Sequence, residues 1–203
     1  MGIITRVTTA AVGAASVIAV MVGCAATPGA DSLSATPVTP PSGEVVGTGT
    51  VLDVAGDVQL CLGPVAESYP PQCSGLPLEG WSWSDVAGVE ESGDTRWGTY
   101  AVFGTFDGEV FAVTQPPIML ALYDPIRPDD PTGGVPGDTA PARLDEISTQ
   151  LPAVLGDLLL ATWTSDGYLW AEVIWDDGTL QEAADADFGD GVVIVQSALK
   201  PLG

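Results

Sequence analysis

The chain has 203 residues, with five Lys or Arg against 27 Asp or Glu and no histidine. A formal net charge of −22 excludes a protein that tracks nucleic-acid phosphates, and the lack of His excludes Ser-His-Asp and Cys-His catalysis and His-ligated metals. With 25 Gly and 17 Pro but 46% apolar residues, the chain is loop-rich yet able to bury a core.

Residues 1–23 read as a targeting signal. One basic residue, Arg6, precedes an uncharged stretch of small and apolar residues that is slightly short for a ~30 Å hydrocarbon core. It ends in Met21-Val22-Gly23-Cys24, which looks like a bacterial lipobox with Met where Leu is usual. That likeness implies cleavage before Cys24 and attachment of acyl chains to its sulfur. An uncleaved membrane helix and an ordinary secretory signal are the alternatives. Residues 24–42, rich in Ala, Thr, Pro and Ser, are expected to form a disordered tether. From Cys24 onward all 27 acids face only Arg96, Arg127, Arg143 and Lys200.

Residues 43–117 carry strand signals. Residues 45–53 alternate apolar residues with Gly and Thr, a Gly56-Asp57 turn follows, and residues 58–62 form a second run. Cys61 and Cys73 flank a Pro-Pro turn, and an even pair in an exported chain reads as a disulfide; a free-thiol pair or a two-cysteine metal clip are the alternatives. Residues 64–94 are irregular and hold the Trp81-Ser82-Trp83 pair. Two β-rich runs, 98–106 and 109–114, are separated by Asp107-Gly108, which predicts a hairpin with a two-residue type I′ turn. Four or five short antiparallel strands predict a small antiparallel β-barrel, OB-like on strand count.

Residues 118–141 are a connector too rich in Pro for a helix or central strand. In residues 142–203 the period changes. Leu144, Ile147, Leu151 and Leu155 recur at three and four, predicting an amphipathic helix that begins near Asp138, Thr139 and Pro141 and is kinked or restarted at Pro152. Residues 157–164 and 168–176 flank Ser165-Asp166-Gly167 as a second hairpin covered on both faces. Thr179 and Glu182 suggest a capping box for a short helix ended by Gly189, and residues 191–198 read as a buried strand. The fold class expected is α+β: the barrel, then a small α-β-β-α-β domain.

Several patterns are weighed for chemistry. Ser197 and Lys200 fit S-x-x-K, but the pattern follows a strand and lacks partner motifs. Gly47-Thr48-Gly49 lacks the helix a phosphate loop needs. Asp185, Asp187 and Asp190 begin like a calcium loop without completing an EF-hand; Asp124, Asp129, Asp130 and Asp138 offer another oxygen-rich stretch. Either is a candidate for weak Ca²⁺ binding, and no other cofactor is expected. Glu172 shares a strand face with Tyr168, Trp170 and Ile174; paired with Asp166 or Asp176 it could serve a glycosidase. Six tryptophans are many for this length, and Trp81 and Trp83 are the candidate exposed binding pair.

The segments Gly47-Thr48-Gly49-Thr50-Val51, Glu67 to Gly75 with its Cys73, Gly80-Trp81-Ser82-Trp83, Gly104 to Gly108 and Trp175-Asp176-Asp177-Gly178-Thr179-Leu180-Gln181 together make a signature. On these the mature chain resembles uncharacterised actinobacterial exported lipoproteins, a resemblance that implies no activity. Two function classes follow. One is a non-catalytic binding or structural protein of the cell envelope, anchored in the membrane through Cys24, on its extracytoplasmic face, and meeting an envelope protein or wall glycan but no nucleic acid. The other is a carboxylate-dependent extracytoplasmic hydrolase of glycosidase type.

Overall fold

The computed structural model describes residues 2, 32–84, 86–128 and 130–202. The expected signal peptide, the anchor residue Cys24 and the first part of the expected tether lie outside the described residues. The elements in chain order are β1 (Val45–Val54), β2 (Asp57–Cys61), β3 (Leu76–Glu79), β4 (Glu90–Ser92), β5 (Thr95–Phe106), β6 (Phe111–Val113) and β7 (Ile118–Met119). They continue with α1 (Pro141–Leu155), β8 (Leu159–Ser165), β9 (Tyr168–Val173), α2 (Thr179–Phe188), β10 (Val193–Ser197) and β11 (Lys200–Pro201). The fold is α+β. Among the described residues, no helix is long and apolar enough to cross a membrane.

Strands β1, β2, β3, β6 and β5 close into a five-stranded barrel, because β1 pairs with both β2 and β5. The expectation of an all-antiparallel barrel is corrected: β3 and β6 run parallel, with Leu78 opposite Phe111 and Glu79 opposite Ala112. The reason is parity. An odd number of strands cannot alternate direction all the way round a ring, so one junction must be parallel. Strand alternation sends Val45, Val51, Tyr100, Val102, Phe106 and Phe111 inward, where they pack with Leu60, Leu76 and Leu78. Gly104 lies beneath Phe111, and a Cβ there would meet the Phe111 ring and the Ala112 carbonyl, so only glycine lets the ring cross β5. On the outer wall Leu52, Cys61 and Trp97 form a smaller cluster that carries Cys73.

Turn chemistry differs from the expectation in two places. Between β1 and β2 the central residues are Ala55 and Gly56, with φ of 54° and 101°, a type I′ arrangement one residue earlier than predicted. At Asp107-Gly108 the loop has four residues, because Phe106 pairs with Phe111. The Asp107 carboxylate accepts N–H bonds from Glu109 (2.9 Å) and Val110 (2.8 Å), which closes the wider loop and holds its own pKa below the usual range.

The C-terminal unit is a three-stranded sheet in the order β10-β9-β8 with both helices on one face. Helix α1 buries Leu144, Ile147, Leu151 and Leu155, the four residues of the sequence period. It starts with Pro141 in its first turn and Ala140 as N-cap, and it runs through Pro152 to Leu155, so neither the earlier start nor a break is seen. Helix α2 is capped from outside by Asp176, whose Oδ1 accepts from Gly178 (3.0 Å) and Leu180 (2.9 Å); Thr179 is the first helical residue, not the cap. Gly189, at φ 107°, ends it as expected. The α2 crossover makes β9 and β10 parallel.

Two further segments pack onto the body. After β10, Leu199 enters the barrel core, and β11 pairs with β1 through Val45–Pro201 and Val46–Lys200. Residues 32–42, expected within the tether, lie on the helices instead: Leu33 is 3% exposed among α1 and α2 side chains. Asp187 accepts the Leu33 N–H (3.0 Å), Asp177 accepts the Thr39 N–H (3.0 Å), and the Trp175 indole donates to the Thr39 carbonyl (2.9 Å). The Thr179 hydroxyl, with backbone donors, holds the Asp177 carboxyl down to about 2, so it stays charged through the mildly acidic range.

Candidate functional site

The disulfide Cys61–Cys73 is formed, with a Cα–Cα distance of 6.1 Å. Its loop folds over the outer barrel wall, where the Tyr69 ring meets Trp97 edge-on at 5.5 Å. Trp81 and Trp83 are half-buried at the end of the barrel. They meet each other edge-on at 5.2 Å and both approach the buried Tyr100, at 5.2 and 6.4 Å. The Trp83 Nε1–H donates to Asp53 (2.8 Å), and Tyr100 donates to the Ala87 carbonyl (2.9 Å). The pair therefore packs against the barrel core and stays only partly exposed.

Two of the three carboxylates of the calcium-like stretch are taken up by the fold, while Asp190 is exposed at the end of α2. Asp185 accepts from Gly191 (2.8 Å) and from Gln181 (3.0 Å), and Asp187 holds the Leu33 turn. Among the described residues no group of three His, Cys, Asp or Glu is placed to hold a metal. In the connector, Asp130 accepts from Thr132 and Gly134 within its own loop, and Asp129 lies outside the described residues. The Ser197 hydroxyl accepts from the Asp176 N–H (2.8 Å) and donates to the Asp176 carbonyl (3.3 Å), which fixes the end of β10.

The free face of the three-stranded sheet brings the most together. Strand alternation turns Leu169, Ala171 and Val173 toward the helices and Tyr168, Trp170 and Glu172 away from them. Across the hairpin Trp163 pairs with Trp170, and their rings stack at 6.1 Å with an interplanar angle of 4°. Trp163 is 42% exposed, whereas the Trp170 Nε1 is buried with no hydrogen-bond acceptor among the described residues. Sequence reasoning passed over this pair. The available signal was positional: the two residues stand three before and three after the Asp166-Gly167 turn, so a two-residue hairpin sets them opposite each other.

The connector arches over this face. It is pinned at one end by Tyr123, edge-on to Phe103 at 5.9 Å. At the other end Tyr168 donates to the Val135 carbonyl (2.9 Å) and the Gly137 N–H donates to the Asp166 carbonyl (2.7 Å). Gly137 and Gly167 touch backbone to backbone there, and a Cβ on either would collide with the other. Two cavities lie under the arch. One, of about 410 Å³, is lined by Asp130, Thr132, Val135, Asp166, Tyr168 and Trp170. The other, of about 190 Å³, is lined by Glu172, Gln196, Lys200, Tyr123 and Ile126. Burial pushes the Glu172 carboxyl above its ordinary range, and the Lys200 ammonium pulls it part of the way back.

Asp166 lies six residues from Glu172 along the strand, roughly 20 Å at ~3.3 Å per residue, outside the ~5–9.5 Å window of a glycosidase pair. Asp176 is occupied in capping α2. The Asp166–Glu172 pair named for hydrolysis is thus not brought together. A third concavity, about 740 Å³, lies between the barrel and the C-terminal unit, lined by Leu60, Leu62, Leu76, Glu109, Asp157 and Leu160 among others. Comparison with family models, curated proteins and solved structures gives no match to this chain.

Proposed function

We propose that this chain is a lipid-anchored, non-catalytic binding protein on the extracytoplasmic face of the cell membrane, with Cys24 as the anchor. The observation that carries the reading is the Cys61–Cys73 disulfide in a body that begins shortly after the lipobox. A disulfide of this kind persists in oxidising compartments, and the lipobox supplies the route to one. The acidic surface fits the same setting: like charges keep an exported body soluble and away from anionic lipid and nucleic acid.

The barrel reads as a member of the OB class. Its spatial order β5-β1-β2-β3 is a Greek key, and β6 closes the five-stranded ring. A groove of about 740 Å³ lies beside β2, β3 and the loop after β5, the face that OB barrels use for ligands. With a net charge of −22, that face suits a neutral or basic envelope component rather than an oligonucleotide.

The anchoring is tested with Cys24→Ser expressed in a host that exports the chain. Wild-type protein is expected in the membrane fraction, released by detergent and not by salt. The variant is expected to leave that fraction. A Cys24→Ser protein that partitions like the wild type would overturn the reading.

A further inference from the structure

We propose that the groove between the barrel and the C-terminal unit binds an aliphatic amine, a single hydrocarbon chain with a primary ammonium head. The inference rests on the reading of this groove as the ligand face of the barrel, and it adds the chemical class. The groove is aliphatic: buried Leu60, Leu76 and Ile174 and half-buried Leu62, Leu158 and Leu160 all line it. Its volume of about 740 Å³ falls within the ~300–1,000 Å³ range of small-ligand pockets. The Cys61–Cys73 crosslink ties together two of the chain segments on its barrel side, residues 62–64 and 74–77. A wall fixed in advance loses little freedom when a ligand enters.

Two exposed carboxylates stand on the same lining, Glu109 from the barrel and Asp157 from the C-terminal unit. Among the described residues neither carboxylate accepts a hydrogen bond or joins an ion pair. No Lys or Arg lines the groove. Arg96 and Arg143 pair with Glu91 and Glu146 on the surface, and Arg127 and Lys200 line a different cavity. The fold therefore leaves an apolar trough with uncompensated negative charge on both of its sides, which is complementary to a hydrocarbon that carries a cation.

Chemistry narrows the occupant further. A peptide would bring backbone N–H and C=O groups into the groove, where the β2 and β3 backbones are already paired with each other, and amides buried without partners are costly. A hydrocarbon chain brings none. A quaternary ammonium is held best by aromatic faces, and no Phe, Tyr or Trp lines the groove. A primary ammonium instead donates N–H bonds, which carboxylates accept in strong charge-assisted pairs. Fatty acids, alkyl sulfates and phosphate-bearing lipids would meet two like charges and a net charge of −22.

The test titrates the full chain in maltoside micelles with hexyl-, octyl- and decylammonium by calorimetry. Octanol, octanoate and octyl sulfate serve for comparison, and protein-free micelles are the blank. Saturable binding of octylammonium is expected, tightening about three- to fourfold with each added methylene. Octanoate and octyl sulfate should bind more weakly by about tenfold or more. Glu109→Gln combined with Asp157→Asn should weaken octylammonium by about three- to tenfold. The same variant should leave octanol binding and the melting temperature unchanged, since both side chains are exposed. A diazirine-bearing octylammonium should label residues 62–64, 74–77 and 156–160 after irradiation.

The proposal is overturned by labelling confined to other segments, by octanoate binding as tightly as octylammonium, or by an ammonium affinity that the double variant leaves unchanged. Tighter binding of a peptide of alternating Leu and Lys than of any alkylammonium would also overturn it. If octanol and octanoate occupy the groove as octylammonium does, only the amine class fails. If no probe binds there, the reading of this groove as a ligand face fails with it. None of these outcomes bears on where the protein is anchored, which the Cys24→Ser fractionation decides separately.

Discussion

Phe111→Ala is expected to destabilise the protein by about 3–5 kcal/mol, the range for removing a large aromatic from a packed core. Phe111 is fully buried, sits on the short strand that makes the parallel junction with β3, and covers the bare backbone of Gly104. Its loss opens a cavity that glycine cannot fill and weakens the junction that closes the ring. At roughly 2–4 °C per kcal/mol for a body of this size, the melting temperature should fall by about 6–20 °C. Phe103→Ala is the control. That side chain is on the outer wall, only partly buried against Tyr123, and its removal should cost clearly less. Calorimetric melts of the two variants at one pH check the order, and near-equal losses would contradict the inward and outward assignment of β5 and β6.

Cys61→Ala with Cys73→Ala is expected to cost about 3 kcal/mol, because the unfolded chain regains the freedom of a loop spanning twelve residues. The predicted fall is about 6–12 °C in melting temperature. Cys61 also packs against Leu52 and Trp97, so alanine is preferred to serine, which would bury a hydroxyl without a partner. The diagnostic comparison is reductant. It should lower the wild-type melting temperature toward that of the double variant and leave the variant unchanged. A wild type insensitive to reductant, melting with the double variant, would show that the crosslink contributes nothing.

How far these features could be read beforehand depends on how local their causes are. Helix α1 was legible because its four buried residues repeat with the helical period, and the Asp166-Gly167 hairpin because its turn needs two residues that tolerate positive φ. The disulfide was legible from cysteine parity in a chain read as exported. The parallel β3–β6 junction was not legible, since it arises from closing an odd ring and from no residue in either strand. The α2 cap was misplaced by one motif: Thr179 and Glu182 imitate a capping box, while Asp176 is better placed to reach the first amides.

The candidate site shows the same division. Glu172 stood out as a carboxylate on an aromatic strand face, and the structure places it half-buried in a cleft facing Lys200. That neighbour comes from β11, which reaches the cleft by pairing with β1 at the far end of the chain. Trp81 and Trp83 sit in irregular chain between glycines, which suggested exposure, yet long-range packing on Tyr100 draws them into the barrel end. The connector read as a boundary because prolines exclude helix and central strand. Its role as an arch depends on two pins, Tyr123 on Phe103 and Tyr168 on Val135, that no local pattern announces.

Intact-mass spectrometry of the protein purified from its own membranes tests the central claim most directly. The account predicts a chain that begins at Cys24, carries acyl groups on that residue, and is two hydrogens lighter than the reduced form because Cys61 and Cys73 are joined. A product that begins at Met1, bears no acyl group and has both thiols free would contradict it.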